Sequence, residues 1–270
     1  MANRHRLACF LSRWIAAAFC YGCCLGAPPP VTIYPSGTEL PANHLKFYLH
    51  FPGPMRQGVF LDHCRLLDED GHEVLEPFRE TELWSPDEKR LTLWLHPGRQ
   101  KTGVNLNVEF GPVLEPGRTY RLIISGNWPT AEGSLIGQDV VKTFRTLPPV
   151  HSQLNPGTWR LSCPSSGTRE PLVVTFPAAL DHALLHRFLT VRQSDRDVAG
   201  KATSDSGETV WRFVPQNPWQ ASAGQLIVNS LLEDLAGNSL ARPFEIDLDS
   251  PPPAKVPDQV ILGWQPKPLR

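Results

Sequence analysis

Apolar and polar residues alternate along several short segments of this chain, and a period of two predicts β-strands. In the clearest segment, residues 45–51, one face of the predicted strand carries apolar residues: Leu45, Phe47, Leu49 and Phe51. The other face carries polar or amphipathic residues: Lys46, Tyr48 and His50. This pattern is typical of a strand with one face in a hydrophobic core.

Further strands follow at short intervals, separated by turn residues. Leu91, Leu93 and Leu95 alternate with Thr92, Trp94 and His96. Turn residues at 116–117 lead into an apolar segment at 120–124, and residues 140–144 supply another. Many short strands joined by turns predict an all-β unit, which we place at residues 31–146.

Residues 158–249 repeat the order of this first unit less clearly. The turn at 164–168 resembles the opening turn at 35–38, and both units continue into an apolar strand that ends in Phe-Pro. Residues 244–247 would then form the last strand. We therefore predict two β-sandwich domains in tandem.

The remaining segments are defined by composition. Residues 147–157 are rich in proline and are expected to form a stiff linker. Residues 250–270 form a proline-rich tail with one apolar run, 260–264, which would add back to the sheet as a strand because such a run seldom stays solvated.

Composition supports short strands over long helices. The 270 residues include 28 prolines and 20 glycines, which are unfavourable inside helices. The formal net charge of −1 gives no electrostatic basis for binding nucleic acid. The expected partners are instead a protein or a cell-wall glycan.

The N-terminal segment, residues 1–27, resembles an export signal. Arg4, Arg6 and Arg13 precede an apolar run at 14–25. That run is too short to span a bilayer comfortably, so no integral membrane span is expected after its removal. The expected location is extracytoplasmic: periplasmic, at the cell surface or secreted. Lipid anchoring at Cys23 is an open alternative, because a small residue precedes it.

Two cysteines remain outside that segment. Cys64 lies early in the first unit and Cys163 early in the second. In an oxidising compartment they would be able to form a disulfide between domains. Two separate buried thiols are the alternative, and we favour it.

Both units resemble bacterial Ig-like domains of the S-layer type. That family opens on a Pro-x-x-Gly turn, continues into an apolar strand ending in Phe, and closes on Asp-x-x-Gly-Asn. The second unit carries the closing motif as Asp234, Gly237 and Asn238, whereas the first has Asn127, Trp128 and Pro129 in that region. The resemblance implies β-sandwiches that serve as spacers, adhesive modules or accessory units, and it does not choose among these.

One face of the first domain is a candidate for binding a ligand or partner. It combines aromatic, imidazole and basic side chains: Tyr48, His50, Trp94, His96, Arg99 and Lys101. Such residues would stack on sugar rings, and the histidines would also suit zinc. The other interpretation, which we favour, is that this face packs against the second domain, the linker or the tail.

Three acidic or histidine groups raise the question of metal binding. Asp234, Gly237 and Asn238 lack the regular spacing of oxygen ligands for calcium, so we interpret them as a structural turn. The acidic run from Asp68 lacks the glutamate that an EF-hand needs at its twelfth position. Asp181, His182 and His186 resemble a ligand cluster, and the two histidines have the spacing of a helical metal pair, but no third ligand is evident. No metal or cofactor is predicted.

Enzyme signatures are missing from the sequence. It has no nucleophile elbow, no His-Glu-x-x-His, no phosphate-binding loop and no dinucleotide fingerprint. We therefore expect an exported, non-enzymatic Ig-like binding or scaffold module of the cell envelope. The alternatives are a carbohydrate- or peptidoglycan-binding accessory protein that uses the aromatic face and, with less support, a hydrolase with an unrecognised site.

Overall fold

The computed structural model describes residues 30–100, 105–205, 207–245 and 257–268. The signal segment, including Cys23, therefore lies outside the described residues, as do Lys101 and residues 246–256. The described part of the chain is mostly β-structure and forms two sandwiches, each of two four-stranded sheets. The all-β prediction is confirmed.

The first sandwich contains strands β1 to β8. Their bounds are β1 Thr32–Tyr34, β2 Glu39–Pro41, β3 Lys46–His50, β4 Cys64–Leu67, β5 Leu83–Trp84, β6 Arg90–Trp94, β7 Thr119–Ile124 and β8 Val140–Leu147. One sheet has the order β1-β3-β6-β5 and the other β2-β8-β7-β4. Most neighbours are antiparallel, but β2 runs parallel to β8.

The second sandwich contains strands β9 to β16. Their bounds are β9 Arg160–Ser162, β10 Leu172–Thr175, β11 Leu189–Gln193, β12 Arg196–Asp197, β13 Gly200–Ser204, β14 Val210–Pro215, β15 Gly224–Asn229 and β16 Gln259–Trp264. Its sheets have the orders β13-β14-β10-β9 and β12-β11-β15-β16.

The strand order is that of an immunoglobulin-like sandwich. When β2 and β12 are set aside, the other seven strands of each domain can be lettered A to G along the chain. One sheet of each domain is then A-B-E-D, and the other is built on C, F and G. In the first domain β2 lies beside the final strand β8 in the parallel direction. The order of pairing, which sequence periodicity alone does not give, thus places both domains in the same fold class.

The final strand of the second domain is β16, which lies in the predicted tail. It pairs with β15 from Gly224↔Trp264 to Asn229↔Gln259, and the Trp264 side chain is buried against Trp219. The expected last strand at 244–247 is wrong at residues 244 and 245, which are not in a strand. The apolar run 260–264 occupies that edge because it offers the core a tryptophan.

Helices are short and lie between strands. Their bounds are α1 Pro97–Gln100, α2 Asn105–Phe110 and α3 His182–Leu185. Within the described residues, no helix has the length and apolar character needed to cross a membrane. Each sandwich encloses its own hydrophobic core, but Leu235 of the second domain packs into the core of the first. The two domains therefore share a junction.

The segment predicted as a stiff linker, residues 147–157, makes hydrogen bonds at that junction. Strand β8 continues to Leu147, and Ala42 donates a backbone hydrogen bond to the Leu147 carbonyl. Beyond it, Val150 exchanges two hydrogen bonds with the Asn43 side chain, at 2.7 and 2.9 Å, and accepts a third from Asn238. The linker thus connects to both domains.

Candidate functional site at the domain junction

A buried ion cluster joins the two domains. Strand β3 presents Lys46, whose Nζ lies 3.0 Å from Asp181 Oδ2 and 2.9 Å from Glu233 Oε2. The lysine and the aspartate are almost inaccessible to solvent, whereas Glu233 is partly exposed. Burial alone would lower the pKa of Lys46, but the charges of Asp181 and Glu233 outweigh it and raise that pKa. The cluster therefore consists of one lysine of the first domain and two carboxylates of the second, and it crosses the interface.

Tyr48, two residues along β3, reaches the same carboxylate. Its hydroxyl lies 2.9 and 2.8 Å from the two oxygens of Asp181 and donates to that carboxylate. Burial and the charge of Asp181 both raise the pKa of Tyr48, so the hydroxyl stays protonated as a donor. Asp181 also accepts from the Leu184 backbone and so caps α3. One carboxylate thus orders α3 and holds it to the first domain.

These contacts bear on the two interpretations of the aromatic face. Tyr48 is only 5% exposed, since the second domain covers it. Trp94 is half-buried, and Lys46 Nζ lies 5.0 Å from the centroid of its ring, a cation–π contact. His96 is half-buried as well. Tyr48 and His50 therefore pack against the second domain, as the favoured interpretation of the sequence had it. The backbone hydrogen bond of His96 is made within the first domain, to Pro77.

Arg99 also departs from the expected exposed position. Its guanidinium is buried and donates to the backbone carbonyls of Gly111, Pro112 and Leu75. Burial lowers the pKa of this arginine. Arg99 therefore fixes the chain around α2 and is not offered to a ligand.

The predicted turn at Asp234, Gly237 and Asn238 is a turn in the structure. Asp234 Oδ1 accepts from the backbone of Ala236 and of Asn238, both at 2.9 Å, and Gly237 has a φ of +79°. Burial raises the pKa of Asp234, while the hydrogen bonds from Asn238 oppose that shift. The carboxylate is thus occupied by donors of its own turn.

The same turn is inserted into the first domain. The carbonyl of Leu235 accepts from the Leu45 backbone N–H at 3.1 Å and lies 3.2 Å from His44 Nδ1, which must carry the proton there. His44 is fully buried. Burial lowers its pKa to about 3, the Leu235 hydrogen bond opposes this, and the charges of Lys142 and Lys46 lower it further. The imidazole is therefore neutral.

Histidines form a second cluster beside the ion cluster. His182 stacks on Tyr34 with the ring centroids 3.5 Å apart, and its centroid lies 5.7 Å from that of His50 and 5.2 Å from that of His186. Burial, followed by the neighbouring charges of His182 and Arg90, lowers the pKa of His50 to about 4. Burial and His182 also lower the pKa of His186. His50 of the first domain thus lies beside His182 of the second.

Two further groups from the sequence lie away from the junction. Asp68, Asp70 and His72 bring three candidate ligand atoms within 4.8 Å of one another, in an exposed turn that Asp68 closes by accepting from the His72 backbone. Cys64 and Cys163 are both free thiols, the first buried and the second partly exposed. The favoured expectation of two separate thiols agrees with this placement.

Sequence reasoning missed the partners that cover the face. Glu208 was not a candidate, and Asp181 was considered only beside His182 and His186, although it precedes a short apolar segment and has the composition of a helix N-cap. For Glu208 we find no local signal, because it is separated by 172 positions from its partner Ser36.

Comparisons with known proteins give no family. No family model matches the chain, and no curated protein matches it. Among solved structures, native α2-macroglobulin of Escherichia coli, domains MG0-NIE-MG1, is similar with 13% identity and a TM-score of 0.27. The match covers 69% of this chain and 62% of that one, less than two thirds of its length. Rst D1-D2 is similar with 9% identity and a TM-score of 0.23, covering 86% and 95%. Scores this low carry no argument about function.

Proposed function

We propose that the protein is an exported, non-enzymatic scaffold module of the cell envelope, in which two Ig-like sandwiches act as one rigid unit. The observation that supports this most directly is the use of its buried ionisable groups. Lys46, Asp181 and Glu208 are the kinds of residue that would suggest catalysis if they faced a cleft. Each instead bonds to the opposite domain.

Rigidity follows from how the junction is built. Domains joined by a flexible linker usually move relative to each other unless their interface is large or well bonded. Here residues 234–240 are buried throughout, and Leu235 enters the core of the first domain. Opening the junction would expose apolar surface and separate a buried ion pair, both of which cost free energy.

Export and envelope location are supported by the sequence. The basic residues and apolar run at 1–27 are typical of a signal segment. The likeness to Ig-like domains of the S-layer type, with the closing motif at Asp234, Gly237 and Asn238, favours a spacer in the envelope. A glycan-binding role centred on Tyr48 is not part of this proposal, since the second domain covers that residue.

Hydrogen exchange of the full chain, followed by mass spectrometry, tests the rigid unit. Peptides covering 180–185 and 232–240 should exchange as slowly as the core strands β3 and β15. Lys46→Met should speed exchange in both junction peptides and leave β15 unchanged. Fast exchange at the junction of the unaltered chain, with protected cores, would contradict a rigid unit.

Fractionation of a bacterial host that expresses the full chain tests export. The chain should be recovered outside the cytoplasm, and deletion of residues 1–27 should retain it inside. Cytoplasmic recovery of the full chain would contradict the envelope role. A Cys23→Ser variant, labelled with a fatty-acid analogue alongside the unaltered chain, shows whether Cys23 anchors the protein, because only labelling at that position is lost on substitution.

A further inference from the structure

Three imidazoles meet at the junction, contributed by both domains. His182 and His186 bracket α3, and His50 ends β3 of the first domain. The ring centroid of His182 lies 5.7 Å from that of His50 and 5.2 Å from that of His186. Two imidazoles that bind one tetrahedral zinc ion have centroids roughly 5 Å apart, because each Zn–N bond is about 2 Å long. Both distances from the His182 ring are therefore close to that of two imidazoles on one ion.

Two of these rings carry buried nitrogens without a hydrogen-bond partner. They are Nε2 of His50 and Nδ1 of His182. Buried polar atoms normally have a partner, so Nε2 of His50 requires an explanation. Nδ1 of His182 lies beside a carboxylate instead.

The carboxylate of Glu208 lies near the His182 ring. Nδ1 of His182 lies 3.5 Å from Glu208 Oε1, at the outer limit of a hydrogen bond. A histidine that binds a metal commonly donates its other N–H to a carboxylate, which orients the ring. Glu208 is itself fixed by Ser36, so the Nε2 side of His182 is the side left to face a ligand.

We propose that His50, His182 and His186 form a zinc site that staples the two domains together, with Glu208 as the positioning residue behind His182. The fourth ligand is water, since His186 is exposed to solvent and leaves the site open on that side. The three nitrogens are not all within 4.8 Å of one another, so binding requires the rings of His50 and His186 to turn about their side-chain bonds. The site does not depend on the proposed envelope role.

Charge around the site is mixed. Arg90 pairs with His50 across β3 and β6 and adds a positive charge, whereas Glu208 and Asp87 add negative ones. The carboxylates therefore offset the arginine, and the three imidazoles supply the nitrogen ligands for the dication.

Calorimetric titration of the full chain with Zn²⁺ tests the site. We expect one zinc per chain, with affinity reduced at least tenfold in His186→Ala and in His50→Gln. His186 is exposed, so its substitution should leave the fold intact. Matched controls are His151→Ala, an exposed histidine, and His72→Ala in the exposed turn of Asp68 and Asp70. Neither control should change the affinity.

Cobalt distinguishes this site from the cysteines of residues 1–27. Co²⁺ at an imidazole site should give tetrahedral visible bands without a thiolate charge-transfer band, and His186→Ala should remove them. Zinc should also slow hydrogen exchange in peptides 180–185 of the unaltered chain and not of His186→Ala. Absence of zinc binding, loss of binding in His72→Ala, or a thiolate band that survives in His186→Ala would each overturn the proposal.

Discussion

Glu208 of the second domain accepts three hydrogen bonds from Ser36 of the first. The Ser36 backbone N–H lies 3.1 and 2.9 Å from the two carboxylate oxygens, and its hydroxyl donates to Oε1 at 2.9 Å. The same hydroxyl accepts from the backbone of Gly207 at 2.8 Å. Glu208 is completely buried and has a φ of +51°, which is uncommon for a residue with a side chain. The junction thus holds a buried carboxylate whose charge is satisfied from the other domain.

Ser36→Ala should lower the free energy of unfolding by about 1–3 kcal/mol, because it removes a hydrogen bond to a buried charge and leaves that carboxylate less satisfied. Urea denaturation measures the loss. Ser166→Ala is the matched control, since Ser166 belongs to the corresponding opening turn of the second domain. An equal loss in both variants would contradict a specific role for the contact between Ser36 and Glu208.

Lys46→Met should cost more, about 3–5 kcal/mol, since it leaves the buried charge of Asp181 without its cation. Adding Asp181→Asn to that variant should recover part of the loss, because the uncompensated charge is then gone. Lys89→Met, at an exposed lysine of the same domain, should change the free energy by less than about 0.5 kcal/mol. If Lys46→Met behaved like Lys89→Met, the ion cluster would not stabilise the junction.

The sequence pattern predicted the strands better than the junction. Alternation at 45–51 predicted β3 because the spacing of core residues within a strand is local. The same pattern showed that Lys46 and Tyr48 leave that core, but not what covers them. Their partner Asp181 is 133 positions from Tyr48, and such a pairing is set by how the two domains dock.

The end of the second domain shows a different limit. Residues 244–247 had the apolar content of a strand, and residues 260–264 had it as well. Only one segment can pair with the free edge of β15, and tertiary packing of Trp264 decides in favour of the later one. Both segments contain strand-forming residues, so local propensity predicts a strand at either position without showing which one pairs with β15.

Stability should fall as the solution becomes acidic, and His44 should cause part of that fall. Its folded-state pKa of about 3 lies below the ordinary value of 6.5. Between these two pH values His44 is protonated in the unfolded chain and neutral in the folded chain, so acidification favours unfolding. The contribution is complete above pH 6.5 and is lost as the pH falls toward 3. Between pH 7 and pH 5 this amounts to about 2 kcal/mol.

Urea denaturation at several pH values measures the effect of His44. His44→Asn keeps a side-chain donor for the Leu235 carbonyl and should flatten the slope of unfolding free energy against pH. His72→Asn, at an exposed histidine, should leave the slope unchanged. An unchanged slope in His44→Asn would show that His44 is not held neutral by burial.

Alkylation of the native protein should modify Cys163 at least tenfold faster than Cys64. Cys163 is partly exposed, whereas Cys64 is buried, and burial raises the pKa of its thiol, which lowers the reactive thiolate fraction. Peptide mass spectrometry of the full chain separates the two positions. In denaturant the two rates should become similar, and a disulfide-linked peptide joining them would be incompatible with the two free thiols.

Gly237→Ala should weaken the junction through backbone strain and through a clash with the first domain. A substitution at Gly133 measures the backbone strain without the clash. Gly237 has a positive φ, and a Cβ added there would lie 2.4 Å from Leu45 Cδ1 of the first domain. Gly133 has a φ of +89° with no atom within 4 Å of such a Cβ, so Gly133→Ala measures the backbone strain alone, about 1–2 kcal/mol. Gly237→Ala should cost roughly 1–3 kcal/mol more, because overpacking against Leu45 adds to that strain. Hydrogen exchange should then rise in peptides 232–240 for Gly237→Ala and stay unchanged there for Gly133→Ala. Equal losses of unfolding free energy in the two variants would mean that the turn does not press against the first domain in solution.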